Sequence, residues 1–241
     1  MAIPQETDPS GNVVRDALGI AARVLAEDEV NDLGEDIHNN RHSLKTAIRH
    51  RQDCEDATIL ADGALNSREA ATDREIIAFG TRAEGRLVMP GKPGNEHPEF
   101  SRLFAARAPS ALLPAKREDR SRDLVDLAAR INLRETAPEL KKDAATLLTA
   151  IQRELAAVAT STKARNKLDQ AFESESFAKT AVILACRACS GHLQARLAAQ
   201  PARVRRLLGQ KLGGGSKAKS KKKKTEEETP PTPPTDADPK K

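Results

Sequence analysis

Aromatic residues are nearly absent from this chain. The sequence contains five Phe, no Trp and no Tyr among 241 residues. β-Sheets draw on aromatic and β-branched side chains for their packing, so the composition argues against a β-rich fold. Ala, Leu, Arg, Glu and Lys are abundant instead, and these are strong helix formers. The sequence therefore predicts an all-α protein.

Long apolar runs and paired cysteines are also missing. The longest strongly apolar run covers residues 181–186, far short of the ~20 residues that a membrane helix needs. The first residues, MAIPQETDP, contain neither the basic nor the apolar region of a signal peptide. Three cysteines, an odd number, argue against a disulfide framework. These features predict a cytoplasmic protein with no membrane insertion.

A segment near the start of the chain recurs in its second half. VRDALGIAAR at residues 14–23 matches SRDLVDLAAR at residues 121–130. We call the spacing between these segments, from position 14 to position 121, the repeat offset. It also pairs further apolar positions: Leu18 with Val125, Leu33 with Leu140, Leu44 with Ile151, Ile76 with Ile183, and Ile77 with Leu184. We interpret this register as an internal duplication. The alternative is that similar composition and a shared 3.6-residue period imitate a repeat.

The duplication predicts a specific architecture. Each copy would contribute a short helix, a long helix of roughly 35 residues (~50 Å), and a third helix that folds back, at residues 70–87 and 177–197. The two helical-hairpin units would pack around a pseudo-twofold axis into a four-helix core with shorter helices outside it. The expected segments are a loose N-terminus (1–11), repeat 1 (12–107), a linker (108–116), repeat 2 (117–212), and a disordered Lys/Glu/Pro-rich tail (213–241).

The second repeat has the clearest helical pattern. Leu147, Ile151, Leu155 and Val158 fall at helical spacing and predict a packed seam. Upstream of this seam, the segment from Thr136 to Glu139 reads Thr-Ala-Pro-Glu. This pattern is typical of a capping box with a proline in the first turn. In the first repeat, the helical pattern weakens at residues 29–34 and predicts a kink or short turn there.

Cys186, Cys189 and His192 form the most suggestive cluster. Steps of three residues place them along one face of a helix, as in half of a zinc site. However, the sequence offers no obvious second pair of ligands. A redox Cys-x-x-Cys motif also requires its first cysteine at a helix N-terminus, whereas this pair lies within an apolar helical run. We therefore favour buried, inert cysteines.

Glu35 and His38 match the Glu-x-x-His element of di-iron helical bundles, and His42 follows one turn later. Those sites require a second such element, yet the corresponding positions at the repeat offset hold Lys142 and Ala145. We therefore favour solvent-exposed histidines and predict no metal and no cofactor. A metal-binding bundle stays open as the weakest alternative.

Positive charge is concentrated in the tail. The formal net charge is +5, and residues 213–241 carry eight Lys against three Glu and two Asp. The candidate polyanion-contacting residues are Arg203, Arg205, Arg206, Lys217, Lys219, Lys221, Lys222, Lys223 and Lys224. Lysines of this kind bind phosphates in a salt-dependent way, but no aromatic residue is interleaved to stack on bases. A tail that only increases solubility is the other interpretation.

No catalytic constellation stands out in the sequence. It contains no P-loop, no GxGxxG, no HExxH and no recognisable Ser/His/Asp arrangement. We therefore expect a non-enzymatic structural or adaptor protein that acts through an unknown protein partner or through self-association. The alternative is nucleic-acid or anionic-surface binding through the Lys-rich tail.

Overall fold

A computed structural model describes residues 3–113 and 117–209 of the chain. Its helices are α1 (Ser10–Leu25), α2 (Asp32–Arg86), α3 (Pro98–Leu103), α4 (Arg117–Asn132), α5 (Pro138–Asp143), α6 (Ala145–Arg196) and α7 (Pro201–Leu207). Short 3₁₀ turns cover Gly94–Glu96 and Pro109–Leu112. Within the described ranges there is no β-strand, only one isolated bridge between Met89 and Lys92. The predicted all-α class is confirmed.

Two long helices, α2 and α6, form the axis of the molecule. They contain 55 and 52 residues. The helical rise per residue gives each a length of about 80 Å. Three contacts show that they run antiparallel: the ion pair of Asp32 with Arg196 near one end, the ion pair of Asp62 with Arg165 in the middle, and a hydrogen bond from the Thr72 hydroxyl to the Ala150 carbonyl towards the other end. The fold is therefore a long helical hairpin decorated by shorter helices.

The prediction that each copy contains a third helix that folds back is wrong. Residues 70–86 continue α2 without a break, and residues 177–196 form the end of α6. No proline interrupts either stretch, and the antiparallel partner supplies packing along the full length. The long hairpin therefore forms between the two halves of the chain, and the expected central four-helix core is replaced by two bundles at its ends.

The apolar core is split between those two ends. The first end bundle joins α1, the start of α2, the end of α6, and α7. The second end bundle joins the end of α2, α3, α4, α5 and the start of α6. Each bundle combines residues from both halves of the sequence. Burial of apolar surface, worth about 25 cal/mol per Å², therefore links the start of the chain to its end.

Glycine and aromatic residues shape the second end bundle. Phe100 and Phe104 have ring centroids 4.8 Å apart, and Phe79 lies 5.8 Å from Phe104. A Cβ atom on Gly80 would lie 2.5 Å from Cγ of Pro109. Only glycine therefore allows the turn that contains Pro109 to approach α2 this closely.

Helices α1 and α4 occupy matching sequence positions. Each has 16 residues, and both ends of α4 lie at the repeat offset from those of α1. Three apolar pairs at this offset are buried in both helices: Ala17 with Leu124, Ile20 with Leu127, and Val24 with Ile131. The residues that pack α1 therefore recur at the same places in α4.

The first described residues, from Ile3 onward, contact the rest of the protein, where a loose N-terminus was expected. Pro4 is buried, Ile3 packs against the first end bundle, and the Nζ group of Lys179 donates a hydrogen bond to the carbonyl of Glu6. The expected linker contains the Pro109–Leu112 turn, while residues 114–116 lie outside the described ranges. Residues 213–241, the expected tail, also lie outside them.

The predicted capping box is wrong. Helix α5 begins after Ala137, and the Thr136 hydroxyl donates to the carbonyl of Arg130 and accepts from Arg102. The backbone amide of Ala137 instead donates to the carboxylate of Glu99 in α3, at 2.9 Å. Because α3 packs against this turn, a distant carboxylate performs the capping that the local sequence was expected to perform.

Ile151→Ala tests the position of the core. Ile151 is buried in the second end bundle at 1% exposure, so we expect its truncation to cost about 2–5 kcal/mol of unfolding free energy. Leu60→Ala is the matched control because Leu60 is 75% exposed. Urea denaturation followed by circular dichroism measures both. Equal losses for the two variants would contradict the assignment.

Candidate functional site

The arginines before the tail are largely paired within the protein. Arg203 contacts Glu27 and lies 2.7 Å from Glu29, and Arg206 lies 2.8 Å from Glu27. The hydrogen bond from Arg203 is the main cause that lowers the pKa of the Glu27 carboxyl. Arg205 is exposed and lines a cleft of about 340 Å³ between α6 and α7. Two of these three predicted polyanion contacts are therefore already used by carboxylates.

The tail lysines fall outside the part of the chain that the structure describes. These are Lys217, Lys219, Lys221, Lys222, Lys223 and Lys224. They consequently stay a sequence-based prediction.

The cysteine cluster is divided between core and surface. Cys186 and Cys189 are buried in the first end bundle, whereas His192 is exposed. Burial raises the pKa of the Cys186 thiol to about 12 and that of Cys189 to about 11. Metals and electrophiles react with the thiolate, and such pKa values suppress that form near neutral pH.

The Glu-x-x-His element lies on the surface of α2. Glu35, His38 and His42 are all exposed, and Glu35 and His38 line a shallow cleft next to Leu25. Among the described residues, no three His, Cys, Asp or Glu side chains are grouped so that they could hold a metal ion.

A buried ion network lies in the second end bundle. Arg120 of α4 contacts the Glu154 carboxylate through two hydrogen bonds of 2.6 and 3.0 Å, and Asp73 lies 2.7 Å away. The guanidinium also donates to the carbonyls of Glu69 and Leu113. Contact with Glu154 is the main cause that raises the pKa of Arg120. Because Arg120 joins α2, α4 and α6, it positions α4 on the long hairpin.

The sequence contained a signal for this network. We expected Leu155 to line the seam, but Leu155 is only partly buried, while Glu154 is 1% exposed. A strict heptad through Leu147, Ile151 and Val158 places position 154, and not 155, in the seam. The sequence prediction chose Leu155 because it is apolar, and it therefore missed the buried carboxylate of Glu154.

Between the end bundles, the two long helices meet through a mostly polar seam. We call this part, residues 51–72 of α2 and 154–175 of α6, the midsection. Arg51 pairs with Glu175 at 2.6 Å and lies over the Phe172 ring. The midsection therefore fixes its register mainly with polar contacts. One series of non-exposed α2 positions keeps heptad spacing through it: Leu44, Ile48, Arg51, Glu55, Thr58, Asp62, Leu65, Glu69, Thr72 and Ile76.

Large apolar side chains are exposed on the long hairpin and on the short helices α1 and α4. Contiguous apolar patches are typical of surfaces that bind other molecules, whereas single exposed apolar residues are ordinary. Two pairs of them match at the repeat offset: Leu18 with Val125, at 42% and 50% exposure, and Ile77 with Leu184, at 40% and 55%. Ile59, Leu60 and Phe177 are also exposed.

Comparison with known proteins gives no relative. No family model, no curated protein and no solved structure matches the chain. Within residues 3–113 and 117–209, none of the helices is both long and apolar enough to cross a membrane.

Thiol labelling tests the state of the cysteines. Because burial raises the pKa of both thiols, to about 12 and about 11, Cys186 and Cys189 should react with iodoacetamide at pH 8 at least tenfold more slowly in the folded protein than in urea. Mass spectrometry of each peptide measures the rate. Rapid labelling of the folded protein, or stoichiometric zinc lost in Cys186→Ala, would contradict the assignment.

Proposed function

We propose that the protein is a non-enzymatic adaptor that binds protein partners through exposed apolar side chains near the two ends of its long hairpin, on the short helices α1 and α4 as well as on α2 and α6. The observation that carries this proposal is their recurrence. Leu18 with Val125, and Ile77 with Leu184, are exposed apolar pairs at the same offset in the two halves. An isolated exposed apolar residue is ordinary. Two pairs that recur at matching positions in the two halves favour a functional binding surface at each end of the hairpin.

We also propose that the two halves are copies of one duplicated unit. Three observations support this: the identical lengths of α1 and α4, their common offset, and the long helix that comes after each of them, directly for α1 and beyond the six-residue α5 for α4. Each copy would contribute its short helix to one end bundle, and its long helix would extend through both end bundles. An adaptor built this way has two similar ends about 80 Å apart and can bind two partners at once.

Polyanion binding by the Lys-rich tail is the alternative. The ion pairs of Arg203 and Arg206 with Glu27 weigh against an extension of the tail's charge onto the helical body. In this alternative, binding would depend on residues 213–241 and fall steeply with salt. In the adaptor proposal, binding would be independent of the tail.

Site-specific photo-crosslinking in cells tests the adaptor proposal. A photoreactive amino acid is placed at Ile77 or Leu184, and at exposed Thr162 of α6 as the matched control. We expect protein adducts from the two apolar positions, and these adducts should be retained after deletion of residues 213–241.

Two results would contradict the adaptor proposal. The first is an equal yield of adducts from Thr162, which would mean random collision. The second is a combined result: the protein adducts disappear when residues 213–241 are deleted, and the intact protein binds RNA or DNA in a salt-dependent way. This result would favour the tail alternative.

A further inference from the structure

Two clefts lie on one face of the long hairpin. The central cleft, of about 290 Å³, is lined by Cys54, Ala57, Ala61, Thr160, Lys163, Ala164 and Lys167. The distal cleft, of about 330 Å³, is lined by Ala71, Arg74, Glu75, Thr146, Thr149, Ala150 and Arg153. Both are formed between α2 and α6, and neither belongs to an end bundle's apolar core.

The two clefts lie in line on one face of the long hairpin. Ala71 follows Ala57 by two heptads on α2, and Thr160 follows Thr146 by two heptads on α6. Two heptads return a coiled-coil helix to the same face, so both clefts share one face and are about 21 Å apart along the axis. We call the surface that contains both clefts the alanine groove.

No other described helix covers the alanine groove. Helix α4 contacts the long hairpin through Asn66 and Glu69, which Arg117 binds, and through Asp73, which Arg120 binds. Asn66 and Asp73 lie on the other side of the heptad seam from the alanines of the groove, and Glu69 belongs to the seam itself. The groove residues Ala57 and Thr160 are exposed accordingly.

The chemistry of the groove favours one kind of occupant. Its floor consists of alanines and threonines, whose small side chains leave room for a helix to pack at about 8–10 Å. Leu60 lies beside Ala57 and Ala64 at helical spacing and is exposed at the border of the groove. The rim carries one carboxylate, Glu75, against four cations: Arg74, Arg153, Lys163 and Lys167.

We propose that the alanine groove binds an acidic amphipathic helix of a partner protein. Large apolar side chains of that helix, at i, i+3, i+4 and i+7, fill the clefts over the alanines. Its carboxylates pair with Lys163, Lys167 and Arg153. Among the described residues, these three cations take part in no salt bridge. The neighbouring Glu154 and Arg165 of α6, by contrast, are already paired. This inference rests on the proposed adaptor function and specifies one partner surface.

Two other occupants fit less well. A second copy of the chain would bring the same cationic rim against itself, and like charges in contact oppose association. Nucleic acid would match the charge, but the groove offers no aromatic side chain for base stacking. Its apolar floor would contribute nothing to phosphate binding.

Fluorescence anisotropy with the full-length protein tests the proposal. The probe is a fluorescein-labelled 21-residue peptide, about 32 Å long as a helix, with Leu at heptad a and d positions, Glu at e and g, and Ala and Gln elsewhere to favour the helix. We expect saturable binding that weakens at least tenfold in Ala57→Phe, which fills the groove, and in the double variant Lys163→Glu with Lys167→Glu.

Matched controls distinguish the groove from the rest of the surface. Ala70→Phe and the double variant Lys45→Glu with Lys92→Glu make the same changes at exposed positions outside the groove and should leave binding within twofold of the wild-type protein. A peptide with Lys in place of Glu should not bind. Circular dichroism melts of all variants confirm that each is folded.

Several results would overturn the proposal. Binding that is absent, or equal in the groove and control variants, would do so. So would sedimentation as a dimer that Ala57→Phe abolishes, which would assign the groove to a second copy. Competition by duplex DNA but not by unlabelled peptide would assign it to nucleic acid. If these results appear while Ile77 and Leu184 still crosslink to a protein, the adaptor function stands and only the groove assignment fails.

Discussion

The antiparallel pairing of α2 and α6 is the constraint on which the rest of the structure depends. Both end bundles are built on this hairpin, and each takes one end of α2 and the opposite end of α6. Neither half of the sequence can therefore complete a core alone. The short helices α1 and α4 can bury their apolar faces only because the paired long helices supply the surface that covers them.

The pairing is held differently along its length. At the ends, aliphatic and aromatic side chains are fully buried. In the midsection, polar contacts such as Arg51 with Glu175 and Asp62 with Arg165 join the two helices. A largely solvent-exposed ion pair such as Asp62 with Arg165 adds little free energy, but an offset of one heptad between the helices would break every one of these contacts. The end bundles therefore provide stability, and the midsection provides register.

The sequence predicted the helical class, the position of the first helix in each half and the turn before α2. It did not predict that each long helix is continuous. The polar seam residues Thr58, Asp62 and Glu69 weaken the apolar stripe between residues 48 and 76, so the sequence predicted a separate helix at residues 70–87. Heptad spacing continues through these residues, and only knowledge of the partner helix reveals it.

The candidate sites were also only partly predictable from the sequence. The motifs that begin at Cys186 and Glu35 could be found in the sequence. Whether each motif forms a metal site depends on burial, which the structure shows: Cys186 is buried, and Glu35 is exposed. The Arg120 network and the alanine groove were missed because they join residues distant in sequence. Glu154 interrupts an apolar heptad and could have revealed the Arg120 network. The heptad spacing of the alanines at positions 57, 64 and 71 could have revealed the alanine groove.

Electron–electron double resonance between two spin labels on α2 tests the continuous hairpin most directly. The labels are attached at exposed positions through Asp36→Cys and Thr81→Cys, with the three native cysteines replaced by alanine. An uninterrupted helix predicts a single narrow distance distribution centred at about 70 Å, from the helical rise between the two labelled positions. A distribution below about 40 Å would mean that the helix folds back on itself and would contradict this account.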